Sequence, residues 1–311
     1  MKFAVEGWSP EYGAPMDAAE LTDPANPPDL DVEVPVAEWA PRSPGPATVA
    51  PESVLFTDGV RRVEARVWVT ADDGATHQGI CASYASGVVR AAGPRATLVH
   101  HRVMRGLFCP APSAEPIVTR HATFPVNAVS GDSFDLLSQA LQHQMGVLEA
   151  KVAAEAEVDM GDQRALLLVD GPLKQVSGGV GYIKTHHVAY LPVDLHPVVA
   201  ALAPGQRTPL FLATAKGGRS RYSWYQRLPG ASGHPWAGVI RAEVSADCPV
   251  PQAAARADQV AATLPRFASQ AHKDPRAPQN LHPIAGLERE LRRRLGDPAL
   301  LYRGLRAAAA T

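Results

Sequence analysis

Residues 54–59 read Val-Leu-Phe-Thr-Asp-Gly, and residues 166–171 read Leu-Leu-Leu-Val-Asp-Gly. Each is a short apolar run that ends in Asp-Gly, which predicts a buried strand followed by a turn. A carboxylate at such a strand end is held by the sheet and reaches solvent at its edge. Asp58 and Asp170 are therefore candidates for binding a hard divalent cation through oxygen. Either motif alone fits simple turn chemistry better, and the pair makes the two interpretations about equal.

The segments around these motifs predict a mixed sheet with helices. Alternating apolar residues in 63–70, then strand-like segments at 78–83 and 88–90, predict an antiparallel meander. Apolar residues at steps of three and four predict a long amphipathic helix over 133–157. The remaining predictions are strands at 209–214, 222–228 and 237–244, helices at 251–269 and 284–295, and a Gly-rich loop at 171–188. This order predicts an α/β fold, a mixed sheet flanked by helices.

The N-terminal segment differs in composition from the rest of the chain. Residues 1–52 contain ten prolines, which lack the backbone donor that helices and sheets need. We therefore expect a Pro-rich extended arm over 1–52, with one short strand near 32–36. Residues 53–311 are expected to form the folded domain.

Composition excludes several classes of protein. The 311 residues carry a formal net charge of −1, so there is no global basic excess, although arginines concentrate in 200–310. Three scattered cysteines argue against a disulfide framework and against a cysteine zinc site. The chain shows neither a signal-peptide pattern nor a run of 18 apolar residues, so we expect a cytoplasmic protein without membrane contact.

Further candidates complete a metal site and a nucleic-acid surface. A third carboxylate is needed, and Glu149 is favoured because it lies among the apolar residues of the predicted helix, with Glu64 ranked second. Interleaved basic and aromatic residues suggest contacts to phosphates and unpaired bases, although inward-packed aromatics explain the pattern equally well. The candidates for this surface are Lys184, Arg207, Arg221, Tyr222, Trp224, Arg227 and Lys273.

Several stretches together resemble the NurA nuclease family. They are TDG at 57–59, LEAKVAAEA at 148–156, LLLVDGPL at 166–173, GYIKTHH at 181–187, PGQRTPLFL at 204–212, RYSWYQRLPG at 221–230 and the tail at 272–297. The acidic motifs are short, so the specificity of the resemblance lies in their order and spacing. It covers roughly residues 53–300 and leaves the Pro-rich arm outside.

The resemblance implies an RNase H-like fold and a DNA nuclease that requires manganese or magnesium, with two ions expected. It also implies exonuclease and single-strand endonuclease activity on DNA, in end resection and repair. A homodimer that works with a HerA-type hexameric ATPase is expected. Asp58, Glu149 and Asp170 match the family's acidic positions.

The chain departs from the family at one catalytic position. Where the family has Tyr-Pro and a downstream catalytic histidine, this sequence has His282-Pro283, with Glu290 near the downstream position. His282, His272 or Glu290 could supply the missing group. The departure also leaves two other readings open: a catalytically weakened relative that binds DNA or the ATPase, and another RNase H-like nuclease.

Overall fold

The computed structural model of the chain describes residues 8–12, 14–17, 21–160, 164–173, 178–214, 219–231 and 233–310. The chain divides into two compact units. Unit 1 comprises Met1–Phe56, Arg90–Ala96 and Met160–Ala285, and unit 2 comprises Thr57–Val89, Thr97–Asp159 and Gly286–Thr311. Each unit contains both strands and helices, so the predicted α/β class is confirmed.

The elements of the described residues are numbered here in chain order. The strands are β1 (Ser53–Thr70), β2 (Thr76–Ala92), β3 (Arg95–Cys109), β4 (Ile117–Val118), β5 (Thr123–Phe124), β6 (Val126–Ala128), β7 (Ala165–Asp170), β8 (Val180–Ile183), β9 (Phe211–Thr214), β10 (Ser220–Arg227) and β11 (Val239–Ser245). The α-helices are α1 (Phe134–Met160), α2 (His196–Ala200), α3 (Val250–Thr263), α4 (His282–Arg294) and α5 (Pro298–Ala308).

Unit 2 contains the meander that the sequence predicts. Its strands lie in the order β6-β3-β2-β1, and β6 pairs in parallel with β3. Only residues 71–75 and 93–94 connect the three long strands, and such short links allow antiparallel neighbours but no parallel crossover. The prediction of several short segments was wrong, because 53–70 and 76–92 are each one continuous strand. β3 was not foreseen at all.

Helix α1 of unit 2 confirms the predicted helix over 133–157. Its start is stabilised by Ser133, whose Oγ accepts a hydrogen bond from the Leu136 amide at 3.3 Å. The predicted apolar stripe is buried except at its first residue, Phe134. The Phe134 ring remains 40% exposed and carries the Arg66 guanidinium over its face at 4.2 Å.

Unit 1 contains strands in the order β7-β8-β11-β10-β9. β7 and β8 are parallel, and the remaining neighbours are antiparallel. β8 falls within the predicted Gly-rich loop at 171–188, so that prediction was wrong for residues 180–183. Its four residues are all buried, and a strand this short among glycines leaves too little pattern to recognise.

Part of the Pro-rich segment, between Asp29 and Arg42, pairs with other parts of unit 1, and the extended arm over 1–52 stays a prediction. Isolated backbone bridges join Asp29 to Leu212 and Arg42 to Arg207. Trp39 is buried in an apolar cluster with residues such as Phe211. The short strand expected near 32–36 is wrong: the chain forms bends there and then one 3₁₀ turn at Val36–Glu38, because prolines interrupt sheet pairing.

A buried ion-pair network attaches this segment to unit 1. The Arg207 side chain is 1% exposed; its guanidinium donates to both carboxylate oxygens of Glu33 at 2.8 and 2.9 Å and to Asp258 at 2.7 Å. Burial alone would raise the pKa of Glu33, but the hydrogen bonds and charge of Arg207 outweigh it and hold that pKa below its ordinary value. The ionised pair is therefore the folded form.

We expect Glu33→Gln to lower the free energy of unfolding by about 3 kcal/mol at neutral pH, because Arg207 loses one of its two carboxylate partners and keeps Asp258 as the other. Because the folded-state pKa of Glu33 is lowered, its contribution is complete above the ordinary pKa and is lost as pH falls through the folded value. Urea unfolding of both proteins at neutral and acidic pH measures this. The exposed Glu38→Gln is the matched control, and an equal deficit at both pH values would contradict the assignment.

Candidate functional site

Asp170 of unit 1 is the last residue of β7, as the sequence predicts. The four residues before it are buried, whereas its own side chain is partly exposed. Lys184 directly follows β8, and its Nζ lies 2.5 Å from Asp170 Oδ2 and 3.1 Å from Asn280 Oδ1. The carboxylate therefore faces an ammonium group at the end of two parallel strands.

A buried polar segment, residues 274–280, supports the Lys184 side of this pair. Asn280 Nδ2 donates to Asp274 Oδ2 at 2.9 Å, and both residues are buried. The backbone carbonyl of the neighbouring Gln279 accepts a hydrogen bond from Tyr182 Oη at 2.6 Å. Its side-chain oxygen accepts one from Trp8 Nε1 at 2.9 Å. Sequence reasoning missed these residues, because an isolated Asp or Asn in a Pro-rich stretch gives no signal of burial.

The turn after Asp170 is held by a second buried network. Gly171 has a φ of +96°, which favours glycine, so the Asp-Gly motif is turn chemistry here as well as a strand end. Glu243 accepts from the Leu173 amide at 2.8 Å and pairs with Arg241 at 2.6 Å. These contacts fix the chain immediately beyond Asp170.

Asp58 of unit 2 lies inside β1 rather than at its end, so the predicted strand-end position was wrong for this residue. It marks the point where the buried half of the strand changes to a partly exposed half. Its Oδ1 accepts from the Gly59 amide at 2.7 Å, and Ser86 Oγ donates to its backbone carbonyl at 3.0 Å. The strand continues because β2 provides a neighbour along its length.

Gly59 has a role other than forming a turn. The φ of Gly59 is not positive, so backbone conformation does not call for glycine here. A Cβ added at residue 59 would lie 3.1 Å from Cγ and Cδ of Glu149 and closer still to its Oε1. The Glu149 carboxyl group therefore occupies the space that a side chain at residue 59 would fill. The helical glutamate favoured from the sequence reaches the strand position next to Asp58.

The other acidic candidates have internal partners in unit 2. Glu64 is buried, and its two oxygens accept from Arg62 at 2.8 to 3.1 Å. Glu290 pairs with Arg293 and Arg294, and hydrogen bonds from Arg293 lower its pKa to about 2 against a smaller opposing effect of desolvation. As metal ligands, both residues stay predictions.

Within unit 2, Asp58 and Glu288 offer carboxylate oxygens that lie within 4.8 Å of each other, and Asp170 of unit 1 offers the same kind of ligand at the end of β7. Their oxygens are the ligands that magnesium and manganese prefer, so the donor chemistry fits the expected cation. Glu288 was missed from sequence: it sits two residues before Glu290, in a helix with many charges where no pattern singles it out.

The predicted nucleic-acid residues fall into two groups. Arg207, Trp224 and Arg227 are buried, and Arg227 donates to backbone carbonyls such as that of Leu202 at 2.6 Å. Arg221 and Tyr222 are partly exposed, and the side chains of Lys273, His272 and His282 are exposed. The buried group has internal packing roles in unit 1, so the exposed group and Lys184 are the better candidates for contacting a ligand.

Comparisons with known proteins give low similarity. No protein-family model matches the chain, and no curated protein matches it. Two solved structures resemble it over most of its length: the NurA nuclease from Sulfolobus solfataricus (11% identity, 83% of this chain and 84% of that chain, TM-score 0.45); and the catalytic domain of human endonuclease V (16% identity, 89% and 91%, TM-score 0.35). Scores this low carry no argument about function. No described helix is long and apolar enough to cross a membrane.

We expect Gly59→Ala to displace the Glu149 carboxyl group, because the new methyl would approach within 3.1 Å of its carbon atoms. If Glu149 contributes to cation binding, manganese affinity should fall by roughly tenfold, as is usual when a ligand's surroundings are disturbed. Isothermal titration with Mn²⁺ measures the change. Gly45→Ala, where nothing lies within 4 Å of the added Cβ, is the matched control. Unchanged affinity in Gly59→Ala would remove Glu149 from the site.

Proposed function

We propose that this protein is a divalent-metal-dependent DNA nuclease of the NurA type, with an RNase H-like fold, that hydrolyses phosphodiester bonds. The observation that carries the proposal is the pair of carboxylates of unit 2, Asp58 and Glu288, whose oxygens lie within 4.8 Å of each other. The position of Glu149 against Gly59 brings a third carboxylate of unit 2 to the strand position beside Asp58. The sequence resemblance, which places Asp58, Glu149 and Asp170 at the family's acidic positions, supports the same reading.

The proposed cation is Mn²⁺ or Mg²⁺, with two ions expected from the resemblance. Bound ions of this kind activate a water and neutralise charge on the attacked phosphate. Asp58, Asp170, Glu149 and Glu288 would hold them. The chain contributes rigidity: the Gly59 amide orients Asp58, and the Lys184 ammonium orients Asp170.

The remaining parts of the proposal concern the substrate and its handling. Lys184, Arg221, Tyr222 and Lys273 are proposed to contact single- or double-stranded DNA. His282 or His272 is proposed to act in proton transfer, since both side chains are exposed and therefore free to meet a substrate.

The proposed biological role follows from the resemblance alone. It comprises exonuclease and single-strand endonuclease activity in DNA end resection and repair, as a homodimer with a HerA-type hexameric ATPase. Co-purification of the full chain with such an ATPase tests this part separately. Recovery of the chain without the ATPase would remove the partnership and leave the nuclease proposal standing.

We expect Asp58→Asn and Asp170→Asn each to reduce manganese-dependent DNA cleavage by more than about a hundredfold, because each removes a charged oxygen ligand. Cleavage of labelled single- and double-stranded DNA with Mn²⁺, and with a chelator instead, measures the effect. Asp194→Asn is the matched control, since Asp194 is an exposed aspartate on a 3₁₀ turn of unit 1.

The outcome also separates the alternative functions. Intact DNA in the presence of Mn²⁺, together with measurable DNA binding, would identify a catalytically weakened relative. Cleavage of RNA but not DNA would identify another RNase H-like nuclease. Equal activity of the wild-type protein and both aspartate variants would refute the metal site itself.

A further inference from the structure

Asn280 and Asp274 continue a chain of hydrogen bonds behind Lys184 and have no assigned role in the chemistry above. Lys184 Nζ contacts Asn280 Oδ1 at 3.1 Å, and Asn280 Nδ2 contacts Asp274 Oδ2 at 2.9 Å. Asn280 is 1% exposed, and Asp274 is 7% exposed. A buried amide and a buried carboxylate are costly to keep unless their hydrogen bonds are made, so this geometry is strongly constrained.

Asp274 determines which way the Asn280 amide points. A carboxylate only accepts hydrogen bonds, so the Asn280 atom that faces it must be the nitrogen. The amide oxygen is then on the opposite side, where it accepts from Lys184. The other oxygen of Asp274 accepts from the Arg276 amide at 2.8 Å, which fixes the carboxylate in turn.

The backbone around this chain of groups is also fixed. Asp274 N and Asn280 N donate to the carbonyls of Gln270 and Arg276, each at 3.0 Å. Gln279 is anchored by Tyr182 and Trp8. A change in the Asp274–Asn280 contact therefore cannot be absorbed by a shift of a loose loop.

We infer that Asp274 and Asn280 are positioning residues that hold the Lys184 ammonium beside the Asp170 carboxylate. The consequence for catalysis rests on the proposed function. An ammonium group held beside a metal-binding carboxylate is in place to contact a phosphate oxygen of the substrate. Neither Asp274 nor Asn280 touches the substrate; they act through Lys184.

The decisive variant is Asp274→Asn, which changes no atom in contact with Lys184 and keeps the side-chain shape. The new amide can satisfy the Arg276 amide only by turning its nitrogen toward Asn280. Asn280 must then rotate its oxygen toward residue 274 and its nitrogen toward Lys184, where two donors face each other. Lys184 therefore loses its hydrogen bond to the Asn280 oxygen, although residue 280 itself is unchanged.

The exchange variant Asp274→Asn/Asn280→Asp restores every hydrogen bond. The amide at 274 donates to the carboxylate at 280 and accepts from the Arg276 amide, while the second carboxylate oxygen accepts from Lys184. Packing volume is nearly unchanged. A residue pair that served only to fill space would gain nothing from this exchange.

The first readout is independent of activity. Acylation of lysines by an amine-reactive reagent, followed by mass spectrometry, measures how well Lys184 is held, with the exposed Lys151 of α1 as the internal reference. We expect Asp274→Asn to raise the Lys184 rate by roughly tenfold, the effect of losing one hydrogen bond to a charged group. The exchange variant should return it to the wild-type rate.

The second readout is manganese-dependent DNA cleavage. We expect Asp274→Asn to lower kcat by about the factor by which it raises the acylation rate of Lys184, with little change in KM. The exchange variant should recover most of the lost kcat. Wild-type behaviour of Asp274→Asn in both readouts, or an exchange variant that restores neither, would overturn the inference. If the wild-type chain cleaves no DNA, the proposed function fails, while the Lys184 acylation pattern still decides the positioning claim.

Discussion

The carboxylate of Asp170 emerges from a strand whose preceding side chains are almost fully buried, and a charge in that position has to be stabilised by nearby donors. The Lys184 ammonium provides this stabilisation from the adjacent parallel strand. Much of unit 1 around it is arranged to support that ion pair. Tyr182 and Gln279 fix the segment beside Lys184, and Glu243 fixes the turn that follows Asp170. The candidate site is therefore rigid because buried polar groups satisfy one another.

Two identical dipeptides serve different structural purposes. In Asp170-Gly171, glycine is favoured by a positive φ at the turn that follows β7, where Gly171 still pairs with Tyr182. In Asp58-Gly59, the strand continues, and glycine leaves the space that the Glu149 carboxyl group occupies. The sequence pattern singles out both dipeptides, but only their neighbours in the structure show that glycine is present for a different reason in each.

The sequence was informative where a long or strongly apolar pattern exists. Helix α1 follows from periodicity, strand β7 from its continuous apolar run, and the meander of unit 2 only in part, since β3 was not foreseen. As site residues, Asp170 and Glu149 stay predictions. Short elements and buried polar residues escaped prediction. β8 has four residues among glycines, and Asn280 and Asp274 lie in a proline-containing stretch whose polarity suggests exposure. Their burial results from contacts with residues distant in sequence, which no local pattern encodes.

The Pro-rich segment has a consequence for how the chain tolerates shortening. Its composition predicts an arm outside the folded domain, yet Glu33 supplies a carboxylate to the buried Arg207 guanidinium, and Trp39 packs within an apolar cluster of unit 1. A chain beginning at residue 53 would bury an arginine with one acidic partner instead of two and open an indole-sized gap beside Phe211. The segment from Asp29 to Arg42 is in this sense an integral part of unit 1.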